Sequence, residues 1–378
     1  MPVYVRGYGL TRVGEHWDKN LIDLAVDACL QALESANLRP SDLDGVYVAN
    51  ALSNYLNHQG LLEAYLADYL GIMGKTLIRV ESDGASGGLA IYQAFKDVAS
   101  GLARNVLVCG LEKLTDVLPS HITSARNLGS DWLFLSSIGA TQEALQAILL
   151  QLYMDRYNAQ HENIANLAVV SHEHAVTAPH AQFRRKITIE SVMKSPTVAD
   201  PLRIFEVPAP GDGAAALIIS AEKGDVEIVG SSVANDKFRI YEREDPLWLE
   251  SVYLAAQNAY RQAGVSPSEI DFVELYDSST IMGVLELESL GFVERGEGHK
   301  LVGSEDVKLG GRTPVNTFGG LKARGDPVGA TGIYQAVESY LQLSNNAGNN
   351  QVEKARVGLA ISIGGIGAIS VVNIFKRR

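Results

Sequence analysis

Four glycine clusters mark where this chain could bring its backbone against a ligand: Gly84-Ala85-Ser86-Gly87-Gly88, Gly319-Gly320, Gly325-Asp326-Pro327-Val328-Gly329 and Gly364-Gly365-Ile366-Gly367. Each falls between a strand and a helix or just after a strand. Glycine there permits positive φ and close approach, and a helix amino terminus offers free N–H groups to an anion or a thioester oxygen. Tight helix–sheet packing is the plainer use of any one cluster. None continues as the Gly-Lys-Ser/Thr of a phosphate loop, and none fits the dinucleotide fingerprint with its acidic partner. Arg184-Arg185-Lys186 is a tight basic triplet, and it reads equally as a phosphate contact or a solvated charge run. Cys29 and Cys109 each sit inside an apolar run and read as core. His172 and His174 share a face only on a strand; a helix would splay them. With no third ligand nearby, no metal site is expected.

The 378 residues carry 44 acidic against 32 basic side chains, a net charge of -12. That balance argues against general nucleic-acid or anionic-membrane binding. No segment is apolar and long enough to span a bilayer, and the amino terminus lacks the pattern of an export signal. A soluble, cytoplasmic protein is expected, and the two distant cysteines suit a reducing compartment.

The elements that must position the clusters alternate. Strands are expected near 43–50, 105–110 and 214–220, and helices over 20–36, 57–70 and 87–100. This is the order of a layered α/β protein. The sequence also repeats itself. ANLRPSDLDGV from Ala36 returns as AGVSPSEIDFV from Ala263, and Ile91-Tyr92-Gln93-Ala94 returns as Ile333-Tyr334-Gln335-Ala336. Two matches in the same order imply a duplicated domain. An insert of mixed loop and helix is expected over roughly 114–205.

These clusters, with the duplication, make the chain resemble the thiolase superfamily nearly end to end, and most closely its archaeal and sterol-carrier-type branch. The resemblance rests on VESDGASGG from Val80, VLVCGLEKLTD from Val106 and HAVTAPHAQFRRKITIESVMKSPTVADPLR from His174. It also rests on PGDGAAALII from Pro210, FVELYDSSTIMGVLELESLGF from Phe272, VNTFGGLKARGDPVGATG from Val315 and ISIGGIGAISVV from Ile361. It implies a duplicated thiolase fold, two mixed five-stranded sheets layered with helices as α-β-α-β-α. The implied divisions are an N-terminal half (1–113 and 206–235), an inserted loop domain over the active site (114–205) and a C-terminal half (236–378). It further implies a homodimer or dimer of dimers, acyl-CoA as a non-covalent ligand, and a small zinc-ribbon/OB-fold partner protein.

The chemistry departs from the family. Claisen condensation and thiolysis need a nucleophile, an activating base and an oxyanion hole. The family's nucleophilic cysteine matches Gly84 here, and its second catalytic cysteine matches Ile361. The activating histidine of Gly-His-Pro-x-Gly is Asp326, and the histidine of His-Asp-x-Phe is Tyr276, followed by Asp277. Ser86 flanks the nucleophile position without occupying it. By resemblance the ligand contacts are Ser86, Asn316, Gly319, Gly320, Gly325, Gly364 and Gly365, with Arg184 and Arg185 toward the nucleotide phosphates. The candidate acid/base groups are Tyr276, Asp326 and Asp277. The leading expectation is an acyl-CoA-binding protein inactive in condensation. The alternatives are a cysteine-independent retro-aldolase acting on β-hydroxyacyl-CoA, in which a tyrosine serves as acid/base, and an acyltransferase completed by a partner subunit.

Overall fold

The computed structural model describes all 378 residues. In chain order the strands are β1 (Tyr4–Leu10), β2 (Gly45–Ala49), β3 (Thr76–Val80), β4 (Asn105–Glu112), β5 (Thr197–Ala199), β6 (Leu202–Arg203), β7 (Gly213–Ser220), β8 (Val226–Asn235), β9 (Phe272–Glu274), β10 (Val357–Gly364) and β11 (Ile369–Arg377). Nine of them form one sheet in the order β3-β2-β4-β7-β1-β8-β11-β10-β9, and β5 and β6 make a small separate hairpin.

That order carries the duplication. The first half runs β3-β2-β4-β7-β1, and the second mirrors it as β9-β10-β11-β8. The expected pair of five-stranded sheets is corrected in two respects. At the amino terminus Tyr4 and Val5 pair with Glu227 and Val226, which joins the halves into a continuous sheet. The second half's fifth strand shrinks to a single bridge between Val273 and Val315.

Local chemistry sets the covering helices. In helix Leu21–Ala36, Asn20 accepts the Ile22 and Asp23 N–H groups while Asp23 returns a bond to the Asn20 N–H, and Asn37 ends the helix in the left-handed region at φ 52°. These are a capping box and a left-handed stop. This helix covers β1 and β7, and helix Glu250–Ala263 covers β8 and β11. Helices Ser86–Ser100 and Thr331–Leu343, which carry the two IYQA repeats, touch each other and strands of both halves, so they form the central layer. Their amino-terminal turns meet closely: a Cβ on Gly87 would lie 2.9 Å from Gly332 Cα. Only glycine allows that approach, which sets the two glycine clusters side by side.

Between β4 and β7 lie helices Pro119–Arg126, Gln142–Tyr157, His161–Ala175 and Ile189–Met193. His172 and His174 stand on the third of these and are splayed. The His172 ring meets the Arg185 carbonyl at 3.2 Å, and the His174 ring meets the Val315 and Asn316 carbonyls at 3.1 Å. Cys29 and Cys109 are both buried in the apolar core. No helix is long and apolar enough to cross a membrane.

Candidate active site

The first glycine cluster opens helix Ser86–Ser100 through a tight turn, Asp83–Ala85. Ser86 closes this turn: its hydroxyl donates to the Asp83 carbonyl at 2.6 Å and accepts the Ser82 N–H at 2.8 Å. It is fully buried. Ser86, expected as a ligand contact, thus spends its hydroxyl proton and one of its two acceptor positions inside the turn.

Gly84 is buried, and what buries it is Tyr276. A Cβ built on Gly84 would overlap the Tyr276 hydroxyl and Cζ, and would lie 2.5 Å from the Ile363 carbonyl oxygen. The phenol thus fills the space that a side chain at 84 would enter. Tyr276 follows β9, its N–H donating to Glu286 at 2.9 Å and its carbonyl accepting the Ser278 N–H at 2.7 Å. Its side chain is 3% exposed, and its hydroxyl has no hydrogen-bond partner in the chain. Burial raises its pKa well above the usual phenol value; the Asp326 and Asp83 charges add to this and Arg126 opposes it. Tyr276 is therefore a neutral donor at physiological pH.

Asp326 is fully buried. Arg126 donates to one carboxylate oxygen at 2.9 Å and Thr331 to the other at 2.8 Å. Arg126 stands at the end of helix Pro119–Arg126, 200 residues away, and nothing in the sequence spacing pointed to it. Burial favours losing its proton, but Asp326 and the other acidic neighbours outweigh that and keep it charged. A second group missed from sequence is Glu112 at the end of β4. It accepts the Ala51 N–H at 2.5 Å and the Leu52 N–H at 3.3 Å, yet burial still pushes its pKa up to about 8.

Asp277, expected as an acid/base candidate, is committed to other partners. It pairs with Lys322 at 2.7 Å, both side chains fully buried, and accepts the Leu321 N–H at 2.9 Å. It braces the single π-turn Gly320–Arg324. Asn316, at φ 50°, accepts the Leu275 N–H at 2.6 Å and leaves its buried Nδ2 without a partner beside Gly320. Gly319, Gly320 and Gly325 are buried in this same loop region. Ile361 is a core residue of β10. Gly364 and Gly365 line a cleft of about 300 Å³ with Ser82, Asp83, Gly129 and Phe238. A separate cavity of about 300 Å³ is lined by Arg185, His172, Phe183, Phe205, Pro208 and Lys322. Arg184 lies outside it and is exposed.

Comparison with known proteins settles the family. Residues 7–223 match the thiolase N-terminal domain and residues 232–377 the thiolase C-terminal domain-like family. The chain belongs to the thiolase family. It is 39% identical to an acetyl-CoA acetyltransferase of Methanothermobacter thermautotrophicus, over 99% of each chain. It is 31% identical to the benzoylsuccinyl-CoA thiolase subunit BbsB of Thauera aromatica, over 96% of this chain and 94% of that one. A solved structure described as Ltp2-ChsH2(DUF35) aldolase superposes with a TM-score of 0.86 at 25% identity, covering 98% of this chain and 97% of that chain. Family membership implies coenzyme A thioester binding. In this family member the Tyr276 phenol fills the space that a side chain on Gly84 would enter.

Proposed function

We propose that the chain is the thiolase-fold subunit of a carbon–carbon lyase that cleaves β-hydroxyacyl-CoA by a retro-aldol route, without an acyl-enzyme. The observation that carries this reading is the Tyr276 phenol lodged in the side-chain space of Gly84. Nothing at 84 can be acylated, and a neutral hydroxyl has been placed at the point where a thioester carbonyl would meet the nucleophile. The likeness to a solved aldolase supports the same reaction class.

Retro-aldol cleavage needs no covalent carrier. The β-hydroxyl proton leaves to a base, the O–H electrons form the new C=O, and the Cα–Cβ pair moves into the thioester as an enolate. Tyr276, held neutral by burial, donates its O–H to the enolate oxygen as charge grows there. Arg126 sets a positive field over the same volume. Asp326, with both oxygens engaged, positions Arg126 and is not free to take a proton.

Arg185, in the cavity behind the Pro208 segment, is the proposed contact for the coenzyme A phosphates. The partner named in the aldolase's description supports a small zinc-ribbon/OB-fold protein that completes the coenzyme A site. A cytoplasmic homodimer of the archaeal and sterol-carrier-type branch belongs to the same proposal. The engagement of both Asp326 oxygens favours one second reading, an acyl-CoA-binding protein with no turnover.

The test is chromatography of coenzyme A species after incubation with a branched β-hydroxyacyl-CoA, with and without the partner. Wild type should release a shorter acyl-CoA and a free carbonyl compound. Tyr276→Phe should lose about 10²-fold or more of that rate, the scale of a positioned proton donor, while acyl-CoA affinity by calorimetry stays nearly unchanged. Undiminished cleavage by Tyr276→Phe overturns the assigned role. Binding without consumption in both conditions establishes the second reading.

A further inference from the structure

The retro-aldol route leaves one role unfilled, since a base must accept the β-hydroxyl proton and Asp326 is occupied. Asp83 immediately precedes Gly84 and is held at φ 52°, a conformation uncommon for a residue with a side chain. One of its carboxylate oxygens accepts the Gly365 N–H at 2.9 Å. The same oxygen would lie 2.7 Å from a Cβ on Gly129, so the opposite wall is glycine where the carboxylate passes. Besides Gly365, only the adjoining Gly84 N–H bonds this carboxylate, and its other oxygen is not sealed from solvent. Asp83 thus stands in the wall of the cleft lined by Ser82, Gly129, Phe238, Gly364 and Ile369, next to the Gly84–Tyr276 contact.

We infer that Asp83 is the general base of the cleavage and that the cleft beside it holds the carbonyl half of the substrate. This rests on the retro-aldol reading. The β-hydroxyl gives its proton to the solvent-accessible Asp83 oxygen and its O–H electrons become the C=O of the departing aldehyde or ketone. The Cα–Cβ pair forms the enolate under Tyr276, and Asp83 then returns the proton to Cα. The carboxylate is regenerated, and no oxidant, metal or second substrate is required. Phe238, Ala368 and Ile369 give the cleft an apolar side suited to a hydrocarbon ketone or aldehyde.

The groups facing Asp83 are Arg126 from helix Pro119–Arg126, Asp326 and Tyr276 from the C-terminal half, Glu81 bonded to the Asp83 N–H at 2.9 Å, and Asp236 across the cleft. Burial raises the Asp83 pKa, Gly365 and Arg126 work against the rise, and Asp326 adds to it. A carboxylate of raised proton affinity is a stronger base while it remains ionised.

Asp83→Asn tests the assignment, since asparagine tolerates the left-handed region and keeps an oxygen for Gly365. Cleavage should fall about 10²–10⁴-fold, with thermal midpoint and acyl-CoA affinity unchanged. Wild-type kcat/KM should fall on the acid side at a pH above the ordinary carboxylate range, and that limb should vanish from the residual rate of the Asn variant. Asp83→Glu should restore part of the rate and the limb. Ile369→Trp should depress cleavage of substrates with bulky carbonyl halves more than of those releasing acetaldehyde. If wild type cleaves and Asp83→Asn retains its rate and its acid limb, the base assignment is wrong while the retro-aldol reading stands. If wild type cleaves nothing, the reading beneath it has failed. Should Asp83→Asn not fold, Gly129→Ala serves instead, because its Cβ displaces the carboxylate; an unchanged rate there also overturns the assignment.

Discussion

Gly84→Ala is a substitution whose sign of effect depends on Tyr276. The Gly84 backbone lies outside the positive-φ region, so alanine is allowed there by conformation. Were the space empty, the change should stabilise the fold by about 0.4–1 kcal/mol through the unfolded chain alone. The space is filled: the new Cβ would stand 2.5 Å from the Ile363 carbonyl and closer still to the phenol. An ordinary carbon contact is about 3.5–4.0 Å. Overpacking of this kind costs about 1–3 kcal/mol. At about 2.1 cal/mol/K of unfolding entropy per residue, that is a thermal midpoint lower by about 1–4 °C. In a Tyr276→Ala background, which itself costs about 3–5 kcal/mol, the same Gly84→Ala change loses the clash with the phenol and keeps only that with the Ile363 carbonyl, so it should cost less. The double-mutant cycle should therefore show a coupling that is part of that cost, up to about 1–3 kcal/mol. Calorimetric scans of the four proteins measure it. Additive effects, or a stabilising Gly84→Ala with the tyrosine intact, would refute the reasoning that Tyr276 occupies the side-chain space of Gly84.

Two further outcomes are expected. Glu112 holds its proton more tightly folded (pKa about 8) than unfolded (ordinary value 4.5), so its contribution to stability should fall as pH rises between about 4.5 and 8, by at most about 1.4 kcal/mol per pH unit. Glu112→Gln should lose that slope, and denaturation series across this range check it; parallel pH dependences would contradict the assignment. β3 is the open edge of the sheet, with Leu77 36% exposed, and it leads directly into the Asp83–Gly84 turn. Light scattering should give twice the 40.7 kDa chain mass, and Leu77→Lys with Ile78→Lys should return the mass to one chain; a wild-type monomer at micromolar concentration would count against pairing at this edge.

The duplication was legible because it repeats residues with strong local preferences. Pro40–Asp42 and Pro267–Glu269 form equivalent turns before β2 and β9, and both IYQA segments fall in the two central helices. The continuous nine-stranded sheet was not legible. It turns on a two-residue pairing of Tyr4 and Val5 with Val226 and Glu227, which leaves no periodic trace. At the site, the family resemblance placed Gly84, Tyr276 and Asp326 together but carried no sign that the phenol fills the space at 84. That contact depends on how three loops converge. Arg126 and Glu112 were missed for the same reason: each gains its meaning from a partner distant in the chain. Asp277 and Ser86 were named as site candidates, but the partners they take, Lys322 and the Asp83 carbonyl, follow from turn geometry that the sequence does not spell out.

The central claim is that carbon–carbon cleavage here proceeds without an acyl-enzyme. One incubation tests it: the wild-type chain, with and without the proposed zinc-ribbon/OB-fold partner, acetoacetyl-CoA, coenzyme A and a β-hydroxyacyl-CoA together, followed by mass spectrometry of products and of the intact protein. The account predicts consumption of the β-hydroxyacyl-CoA alone, release of its carbonyl half, and a protein of unchanged mass. Thiolysis of acetoacetyl-CoA with a protein heavier by one acetyl group would contradict it.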